Sequence, residues 1–600
     1  MRTWKWTITA SLLIALSATA QQTMTPASPS QAPAQPAPQS PAPADSPAAA
    51  PSSSPQPAAI TATPAPTASS VTTMDQVVDR AIEREHGLIA MLKTRTPLVE
   101  TYLQNLKLDP QMGPSPNQDH YFLGRLDLSD SVDRQDYLSK DSSFQTRMMG
   151  GFTKMFKFQY QPVGFSWMIF ADREDFDRAH YDFKYVHREF QGDVRCIVFD
   201  VTPKKDAGKG RFLGRIWVED QDFNIVRLNG TYAPRPRNAQ FFHMDSWRLN
   251  LIPGYWVPSY IYSEEGDFSS GSKDKMAFKA QTRIWGYDLK KNAKEDELTQ
   301  VLVDSSVKDE SPTAQDASPL QAQREWQQQA EDNVVERLQN AGMLAPQGEV
   351  DKILMTVVNN LEVTNNIDLP RPVRTRVMLT SPLETFSVGN TIIVSRGLID
   401  VLPDEASLAM VLSHELAHIV LGHNLGSRYA FNDRMLFSDE STYQNLGFRH
   451  VPDEEVAADK KAVDLLKNSP YAQKLDAAGL FLRELSERGP ALSALLTPHL
   501  GNSFTDGKGG ISRMAALMTS APALDPNKLD QIPALPLGGR VKLNAWDDHV
   551  ELIKTAPVAI TSARDKMPFE VTPFFPRLTR YGSGANPSAP TTANATPSSN

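Results

Sequence analysis

The spacing of hydrophobic residues divides the chain into a sheet-forming region and a helical region. From Met74 to about Leu108 apolar residues recur at helical intervals, whereas from His120 to about Leu289 apolar and polar residues alternate, as in half-buried strands. Turn-forming groups such as Asp220-Gln-Asp and Asn229-Gly230 separate the alternating runs. The pattern predicts an initial helix followed by a curved, largely antiparallel sheet.

Helical spacing returns beyond residue 321. A short pair of strands, Arg374 to Leu379 and Phe386 to Val394, precedes a long amphipathic stretch from Asp404 to about Gly422. Asp404 suits a helix N-terminus because a carboxylate there interacts favourably with the helix dipole, and Gly422 suits the end of the helix. The expected fold class is therefore α+β, with an N-terminal antiparallel sheet domain followed by a mainly helical domain that has a short edge-strand sheet.

The first 20 residues have the composition of a secretory signal peptide. Basic residues at the start precede an apolar run from Ile8 to Leu16 and the small residues Ala18-Thr19-Ala20. An uncleaved membrane anchor is the alternative, although the run is shorter than the roughly 20 apolar residues that span a bilayer. The sequence therefore predicts export to the periplasm or the outside of the cell, with no transmembrane segment in the mature chain.

Segments of biased composition flank and divide the folded material. Residues 21–72 are rich in Ala, Pro and Ser and are expected to form a disordered tether, and residues 582–600 have the same character. Residues 292–321 are charged and rich in Ser and Asp, which is typical of a linker. We therefore predict a β-rich domain with an N-terminal helix at 73–291 and a second domain at 322–581. Their cores are expected to meet at only a modest interface.

Charge and cysteine content narrow the chemistry of the chain. It has 61 basic and 70 acidic residues, a net charge of -9 and no long basic run, so we expect no nucleic-acid partner. The single cysteine, Cys196, can form no intrachain disulfide and cannot build a cysteine-ligated metal cluster. A metal site in this chain must therefore use histidine and carboxylate ligands.

The most informative residues are His414-Glu415-Leu416-Ala417-His418, which lie on the long predicted helix. The two histidines are about 40° apart on one face of a helix and one turn from each other, so both imidazoles can bind one tetrahedral zinc ion. Glu415 flanks the same face. The H-E-x-x-H string therefore predicts one zinc ion per chain, with His414 and His418 as ligands and Glu415 as the general base.

His423 follows the motif but does not fit it. It lies five residues past His418, about 140° round a continuing helix, so we expect it to cap or pack away from the metal. Leu421 and Asn424 stand where the longer metzincin motif has glycine and histidine. The sequence therefore excludes that subclass.

A second acidic helix offers the third ligand. Residues 453–459 read Asp-Glu-Glu-Val-Ala-Ala-Asp, and Glu455 and Asp459 lie one turn apart on one face. We expect Glu455 to be the ligand and Asp459 to accept a hydrogen bond that orients an imidazole or positions this helix. Spacing alone does not distinguish Glu454 from Glu455, and a solvated acidic first turn is the alternative for the whole cluster.

Together these motifs resemble a known family. H-E-L-A-H with E-x-x-A-D, in which Glu455 lies 37 residues after His418, is similar to the HtpX and Oma-type zinc metallopeptidases, relatives of the CaaX prenyl endopeptidases. The resemblance extends from about Val350 to Met518. It implies that Glu455 is the third zinc ligand and that the mainly helical domain is a zinc metallopeptidase.

The same resemblance implies where substrate is held. The segment from Phe386 to Ile399 is similar to the family's strand and glycine turn ahead of the zinc helix, which suggests an edge strand to which an extended peptide could add. Leu496-Thr-Pro-His499 is similar to a later His-Pro segment, although here Leu500 follows the histidine. The substrate-binding residues implied in this way are Gly389, Asn390, Thr391, Ile392 and His499.

A further resemblance concerns the sheet. Residues 214–227 are similar to the strand-turn-strand of the lipoprotein carriers LolA and LolB. The sheet region also contains many aromatic residues, including Trp217, Tyr255, Trp256 and Tyr260. Two interpretations stay open, namely a structural module and an apolar groove that contacts lipid or an envelope protein.

The predicted function is that of a zinc metalloendopeptidase that hydrolyses exported or envelope proteins, with a role in protein quality control. A zinc-bound water would attack the peptide carbonyl, and Glu415 would accept its proton and pass it to the leaving amine. The alternative is a chaperone-like or lipid- or protein-binding module with an inactive or rarely active peptidase fold. Hydrolysis of a non-peptide bond is a third possibility.

Overall fold

A computed structural model of the chain describes ten stretches of residues. They are 73–137, 162–234, 241–266, 277–287, 319–423, 443–444, 446–506, 510–543, 550–553 and 559–581. The predicted signal peptide, tether and C-terminal tail, and most of the predicted linker, lie outside the described residues. Those parts of the prediction stay predictions, as do the domain boundaries.

The N-terminal half is built on one ten-stranded antiparallel sheet, with the strand order β3-β2-β1-β10-β9-β8-β7-β6-β5-β4. Helix α1 (Met74–Leu92) and the short helix α2 (Pro162–Trp167) pack on one face of it. Thr73 caps α1 by accepting a hydrogen bond from the Gln76 N–H at 3.2 Å. The strands are β1 (Leu98–Asp109), β2 (Gly113–Asp127), β3 (Asp133–Asp136), β4 (Tyr181–Gln191), β5 (Val194–Pro203), β6 (Arg211–Glu219), β7 (Ile225–Ala233), β8 (Met244–Ile252), β9 (Tyr255–Gly266) and β10 (Ala277–Trp285).

The first predicted helix is too long, because α1 ends at Leu92 and Leu98 begins strand β1. The first seven residues of β1 are all buried, so this strand has an apolar or well-packed side chain on both faces. Alternation of polar and apolar residues is lost in a strand that is covered on both sides. The helical prediction for Leu98 to Leu108 was therefore wrong for a physical reason.

The turn predicted at Asn229-Gly230 is also wrong. These residues lie inside β7, where Gly230 stands opposite Gly214 of β6. A Cβ at Gly214 would come within 2.2 Å of the Asn229 carbonyl oxygen, and one at Gly230 would come within 2.3 Å of the Leu213 carbonyl oxygen. The two glycines therefore allow a close approach of two strands instead of making a turn.

The second half is mainly helical, as expected, and the α+β class is confirmed. None of the helices in the described parts of the chain is long and apolar enough to cross a membrane. The helices are α3 (Pro319–Asn340), α4 (Glu349–Thr364), α5 (Arg396–Val401), α6 (Glu405–Leu421), α7 (Pro452–Lys467), α8 (Leu475–Arg488), α9 (Ser493–Leu496) and α10 (Ala515–Ser520). The strands are β11 (Arg374–Met378), β12 (Thr385–Val388), β13 (Thr391–Ser395), β14 (Val541–Leu543) and β15 (Val550–Leu552).

The small sheet ahead of α6 differs from its prediction. The segment from Phe386 to Val394 is two strands, β12 and β13, joined by a turn at Gly389, whose φ is 54°. Strand β13 is the central strand, parallel to β11 and antiparallel to β12. Ile392 is fully buried there, with ladders on both sides of its strand, so β13 has no free edge to which a peptide could add.

The two halves share one hydrophobic core. The side of the large sheet opposite α1 packs directly on the helical region, and Trp217, Trp256 and Tyr260 are buried in that shared core. Of the four aromatic residues that were expected to line a groove, Tyr255 alone is exposed, at 41%. The expectation of separate cores with a modest interface is therefore wrong.

Buried polar contacts also join the halves. Glu100 of β1 accepts hydrogen bonds from the Ser381 N–H at 2.5 Å and from the Arg396 guanidinium at 2.9 Å. Asp119 of β2 accepts the N–H groups of Ala494 and Leu495, both at 2.8 Å, and so supplies acceptors to the first turn of α9. The large sheet therefore holds parts of the helical region in place through charged groups that are out of water.

The last described segment, residues 559–581, continues this interface across the sheet. Glu570 forms an ion pair with Lys279 of β10 at 2.5 Å, and Phe574 packs edge-on against Tyr260 at a ring distance of 4.9 Å. Arg580 forms an ion pair with Glu219 of β6 at 2.7 Å. Residues 559–581 thus return to the large sheet and cover its aromatic face.

The buried pair of Glu100 and Arg396 gives the first prediction. Both side chains are at most 2% exposed, and removing one partner of a buried pair leaves an uncompensated charge. Glu100→Gln should lower the free energy of unfolding by about 3 kcal/mol or more, measured by urea unfolding of the full chain.

The matched control is Glu83→Gln on α1, whose pair with Arg80 has side chains that are 67% and 43% exposed. It should cost at most about 1 kcal/mol. Equal effects of the two substitutions would show that the contact between the halves contributes little to stability.

Candidate functional site

The site is built on α6, which lies inside the shared core. Asp404 caps this helix by accepting the Ser407 N–H at 2.8 Å, and Gly422 ends it in the left-handed conformation with a φ of 70°. Every residue from Ala406 to His418 is buried. The polar side chains on the helix therefore need partners inside the protein.

The two histidines of the motif face each other and a carboxylate. The Nε2 atoms of His414 and His418 are 3.2 Å apart. The carboxylate of Glu455 lies 3.2 Å from Nε2 of His414 and 3.5 Å from Nε2 of His418. One ligand atom from each of these three residues lies within 4.8 Å of the others, a spacing that suits a single metal ion.

Helix α7 brings Glu455 and Asp459 to α6. Its buried small residues Ala458 and Ala462 lie in the core between the helices, which allows close packing. Asp459 contacts Nδ1 of His414 at 3.0 Å and also accepts the Met514 N–H at 2.8 Å. Asp459 therefore lies where it can fix the orientation of His414.

Spacing did not distinguish Glu454 from its neighbour, but the geometry does. The Glu454 carboxylate contacts Nδ1 of His450 at 3.1 Å, whereas that of Glu455 contacts both motif histidines. The ring of His450 stacks on His418 with centroids 3.8 Å apart. Glu455 thus belongs to the group that could hold a metal, and Glu454 supports a histidine beside it.

The charges of the group are strongly coupled. Burial raises the pKa of the Glu455 carboxyl, but hydrogen bonds from His414 and His418 outweigh it and leave the pKa well below its ordinary value. Burial lowers the pKa of His414, but its bonds to Asp459 and Glu455 outweigh this and leave it raised. A metal that binds His414 competes with protons for the same nitrogen, which makes metal affinity fall at low pH.

Two residues near Glu415 were not identified from the sequence as parts of the site. The Arg513 guanidinium forms an ion pair with Glu415 at 3.3 Å, and both side chains are only 2% exposed. Arg513 also donates to the Asn502 carbonyl oxygen at 2.6 Å, and the Asn502 amide donates to Glu455. The family resemblance extends to about Met518 and so covers the segment with Arg513. No sequence signal marks Asn502, because it reaches the site only through tertiary packing.

We expected His423 to point away from the motif, but it points toward it. Its Nδ1 lies 3.0 Å from Nδ1 of His418. The expectation assumed a helix that continues past residue 421, but the left-handed Gly422 turns the chain back toward α6. The predicted helix end at Gly422 was right, and the error was to extend helical geometry to His423, one residue beyond that end.

The residues expected to bind substrate are not all near this group. Thr391 and Ile392 are buried in the central strand β13, and Asn390 donates to the Arg371 carbonyl oxygen at 2.8 Å. A Cβ on Gly389 would clash with Glu331 of α3, so this turn packs on that helix. Strand addition to β13 is therefore incompatible with the fold, whereas β12, the other strand of the predicted segment, is an edge strand of the small sheet.

His499 is not one of the three residues that form the metal group. The ring of His499 stacks on Tyr121 of the large sheet with centroids 5.6 Å apart. The backbone N–H of His499 donates to the buried carboxylate of Glu384 at 2.8 Å. Glu384 also accepts the Leu500 N–H at 3.3 Å. These bonds fix the start of the segment that carries Asn502 and Arg513.

Comparison with known proteins supports the family resemblance that was seen in the sequence. Residues 347–439 match the model of peptidase family M48. This part of the chain is therefore similar to that family. An M48 region implies a metallopeptidase, and the described part of that region contains His414, Glu415 and His418. No curated protein sequence matches the chain.

Two solved structures are similar to part of the chain. One is a domain named as an outer membrane lipoprotein-sorting protein from Vibrio parahaemolyticus, with 9% identity, a TM-score of 0.20, and coverage of 37% of this chain and 96% of that one. The other is a DUF1329 family protein from Desulfovibrio piger ATCC 29098, with 13% identity, a TM-score of 0.18, and coverage of 36% and 94%. At these TM-scores neither similarity carries an argument about function.

The difference between the two neighbouring glutamates gives the second prediction. Glu455→Ala should weaken zinc binding by more than the roughly 10–100-fold that loss of an outer partner costs, since it removes a ligand. Glu454→Ala should change zinc affinity only a few-fold. Competition with a chromophoric chelator measures both dissociation constants, and equal losses would contradict the assignment.

Glu384 gives the third prediction. Burial raises the pKa of Glu384 from 4.5 to about 7, against the lowering effect of its bonds from His499 and Leu500. The folded protein therefore holds a proton that the unfolded chain releases between about pH 4.5 and 7, so the stability contributed by the protonated group is lost as the pH rises through that interval.

Glu384→Gln should remove this pH-dependent loss of the free energy of unfolding, which amounts to roughly 3 kcal/mol. Free energies of unfolding in urea, measured at several values between pH 4.5 and 8, test it. The profile of the variant should be flatter than that of the wild type across this range. Parallel profiles would show that the Glu384 pKa is not raised.

Proposed function

We propose that the chain is a zinc-dependent metalloendopeptidase that cleaves exported or envelope proteins. His414, His418 and Glu455 would hold one zinc ion per chain, and Glu415 would act as the general base. The observation that carries the proposal is the convergence of two buried imidazoles and one carboxylate, with Glu415 beside them, within a family M48 region.

The donor set fits zinc. Two imidazole nitrogens and one carboxylate oxygen make up a three-ligand set that catalytic zinc sites use, which leaves a fourth position for water or substrate. Nδ1 of His414 is occupied by Asp459 at 3.0 Å, so its Nε2 remains for the metal. When bound, zinc would lower the pKa of a water molecule toward neutrality and polarise a peptide carbonyl.

Glu415 has the position and surroundings of a proton acceptor. It lies between the two ligand histidines in sequence, it is 2% exposed, and Arg513 holds its carboxylate at 3.3 Å. In hydrolysis Glu415 would take a proton and return it to the leaving amine. The Arg513 guanidinium adds a fixed positive charge in a buried setting, where it can stabilise negative charge that develops on the reacting carbonyl.

Substrate would enter from the side of α7. The side chains of His414 and His418 are 1% exposed, whereas those of Glu455 and Asp459 are 17% and 23% exposed. A peptide therefore reaches the group past the carboxylates and not past the histidines. Because β13 is paired on both sides, we expect substrate recognition to depend on this opening and not on strand addition to β13.

The alternative function, a chaperone-like or lipid-binding module, finds no support in the described residues. Three of the four aromatic residues that were to form its groove lie in the shared core, with Trp217 only 7% exposed and Trp256 1% exposed. Glu415 is intact, and a pure scaffold does not need a general base. Export and a role in protein quality control belong to the proposal because they rest on the predicted signal peptide and on the family resemblance.

The division of labour at the site gives the fourth prediction. Glu415→Gln should keep zinc and lower the rate of casein hydrolysis by roughly 10²–10⁴-fold, because the residue is a base and not a ligand. Glu405→Gln, at the start of the same helix, is the matched control and should retain activity. Removal of zinc with a chelator should abolish activity, and added zinc should restore it.

Hydrolysis by Glu415→Gln at the parent rate, with zinc bound, would contradict the mechanism. Absence of both zinc and activity in the wild type would contradict the proposed function.

A further inference from the structure

The end of α6 folds back on the helix at a fixed position. Gly422 is left-handed with a φ of 70°, and the His423 N–H donates to the His418 carbonyl oxygen at 3.0 Å. This arrangement satisfies carbonyl groups that the helix end leaves without partners. As a result, the residue after the glycine is held over the last turn of α6, next to His418.

The side chain of His423 contacts the one nitrogen of His418 that does not face the metal group. The two Nδ1 atoms are 3.0 Å apart, and the rings are tilted by 65° with centroids 5.1 Å apart. Nε2 of His418 points the other way, toward His414 at 3.2 Å and Glu455 at 3.5 Å. His418 thus has one nitrogen for a metal and one for a neighbour.

The chemistry of a metal-bound imidazole decides the direction of this hydrogen bond. A neutral imidazole that uses Nε2 as a ligand carries its proton on Nδ1, so Nδ1 of His418 must donate. Nδ1 of His423 must then accept, which places the His423 proton on its own Nε2. The His418 side chain is 1% exposed, so without this acceptor its N–H would be buried and unsatisfied.

We propose that His423 is the positioning residue for His418, as Asp459 is for His414. The inference rests on the proposed function, since it assigns a role toward the zinc of that same site. It gives the two ligand histidines partners of different charge, one carboxylate and one neutral imidazole.

The choice of a neutral partner agrees with the charges around it. Glu455 contacts His418 directly, and Glu454 contacts His450, whose ring stacks on that of His418. Glu415 follows His414 in the same buried turn of the helix. A further carboxylate at residue 423 would add negative charge to a site that is largely out of water. A neutral acceptor satisfies the N–H without that cost.

His450 does not replace His423 in this role. Its ring stacks on that of His418, with an interplanar angle of 14°, and its Nδ1 contacts Glu454 at 3.1 Å. An imidazole N–H donates in the plane of its ring, so a stacked ring above that plane cannot accept it. His423 is the described residue with a ring nitrogen at hydrogen-bond distance from Nδ1 of His418.

The test compares three substitutions at residue 423 in the full chain. His423→Leu keeps an apolar side chain of similar size but removes the acceptor, and His423→Ala does so with less bulk in case the first does not fold. His423→Asn keeps an oxygen near the place of Nδ1. Zinc dissociation constants from chelator competition, and the visible absorption spectrum of the cobalt-substituted protein, are measured for each.

We expect His423→Leu and His423→Ala to weaken zinc binding by roughly 10–100-fold and to change the cobalt spectrum. His423→Asn should restore both to within a few-fold of the wild type. His243→Leu, at an exposed histidine outside the site, is the control and should change neither. Melting temperatures of the metal-free proteins, which should be similar, separate the loss of a metal partner from general destabilisation.

The inference is overturned if His423→Leu and His423→Ala bind zinc as the wild type does, or if His423→Asn is as weak as they are. Failure of the proposed function looks different, because the wild type itself would then bind no zinc. The two failures are therefore distinguishable in the same experiment.

Discussion

The structure depends on one constraint, namely that the ionisable side chains of the motif, which are buried with their helix, must find partners. Helix α6 packs in the shared core because most of its residues are small or apolar, and this places His414, Glu415 and His418 out of water. Each then needs a polar neighbour. Asp459 contacts His414, and Arg513 forms an ion pair with Glu415. These partners come from different parts of the chain. The metal site is therefore a product of burial as much as of the motif.

The large sheet takes part in this arrangement through its own buried charges. Glu100 binds Ser381, which lies between β11 and β12, and Arg396, which directly follows β13. Tyr121 stacks on His499, in the segment that leads to Asn502. These contacts tie the position of the peptidase segments to strands that precede them by several hundred residues. The sheet is thus a structural part of the peptidase, which favours the plainer of the two interpretations that the sequence allowed.

What the sequence predicted, and what it did not, follows from the range of the interactions. His414 and His418, like Glu455 and Asp459, are one turn apart on a helix, and helical periodicity alone places such pairs on a common face. Asn502 reaches the site only by tertiary packing, so no local pattern indicates it. The alternation in β1 is hidden because both faces of that strand are covered. His423 was misplaced because helical geometry was extended past Gly422, whose left-handed conformation turns the chain back.

The most direct test of the account is X-ray absorption spectroscopy at the zinc edge on the zinc-loaded full chain. The account predicts four ligands, two imidazole nitrogens at about 2.0–2.1 Å and two oxygens, one from Glu455 and one from water or hydroxide. That result would identify an open catalytic site. A third or fourth imidazole in place of the oxygens, which His423 or His450 could supply, would mean a closed site and would contradict the account.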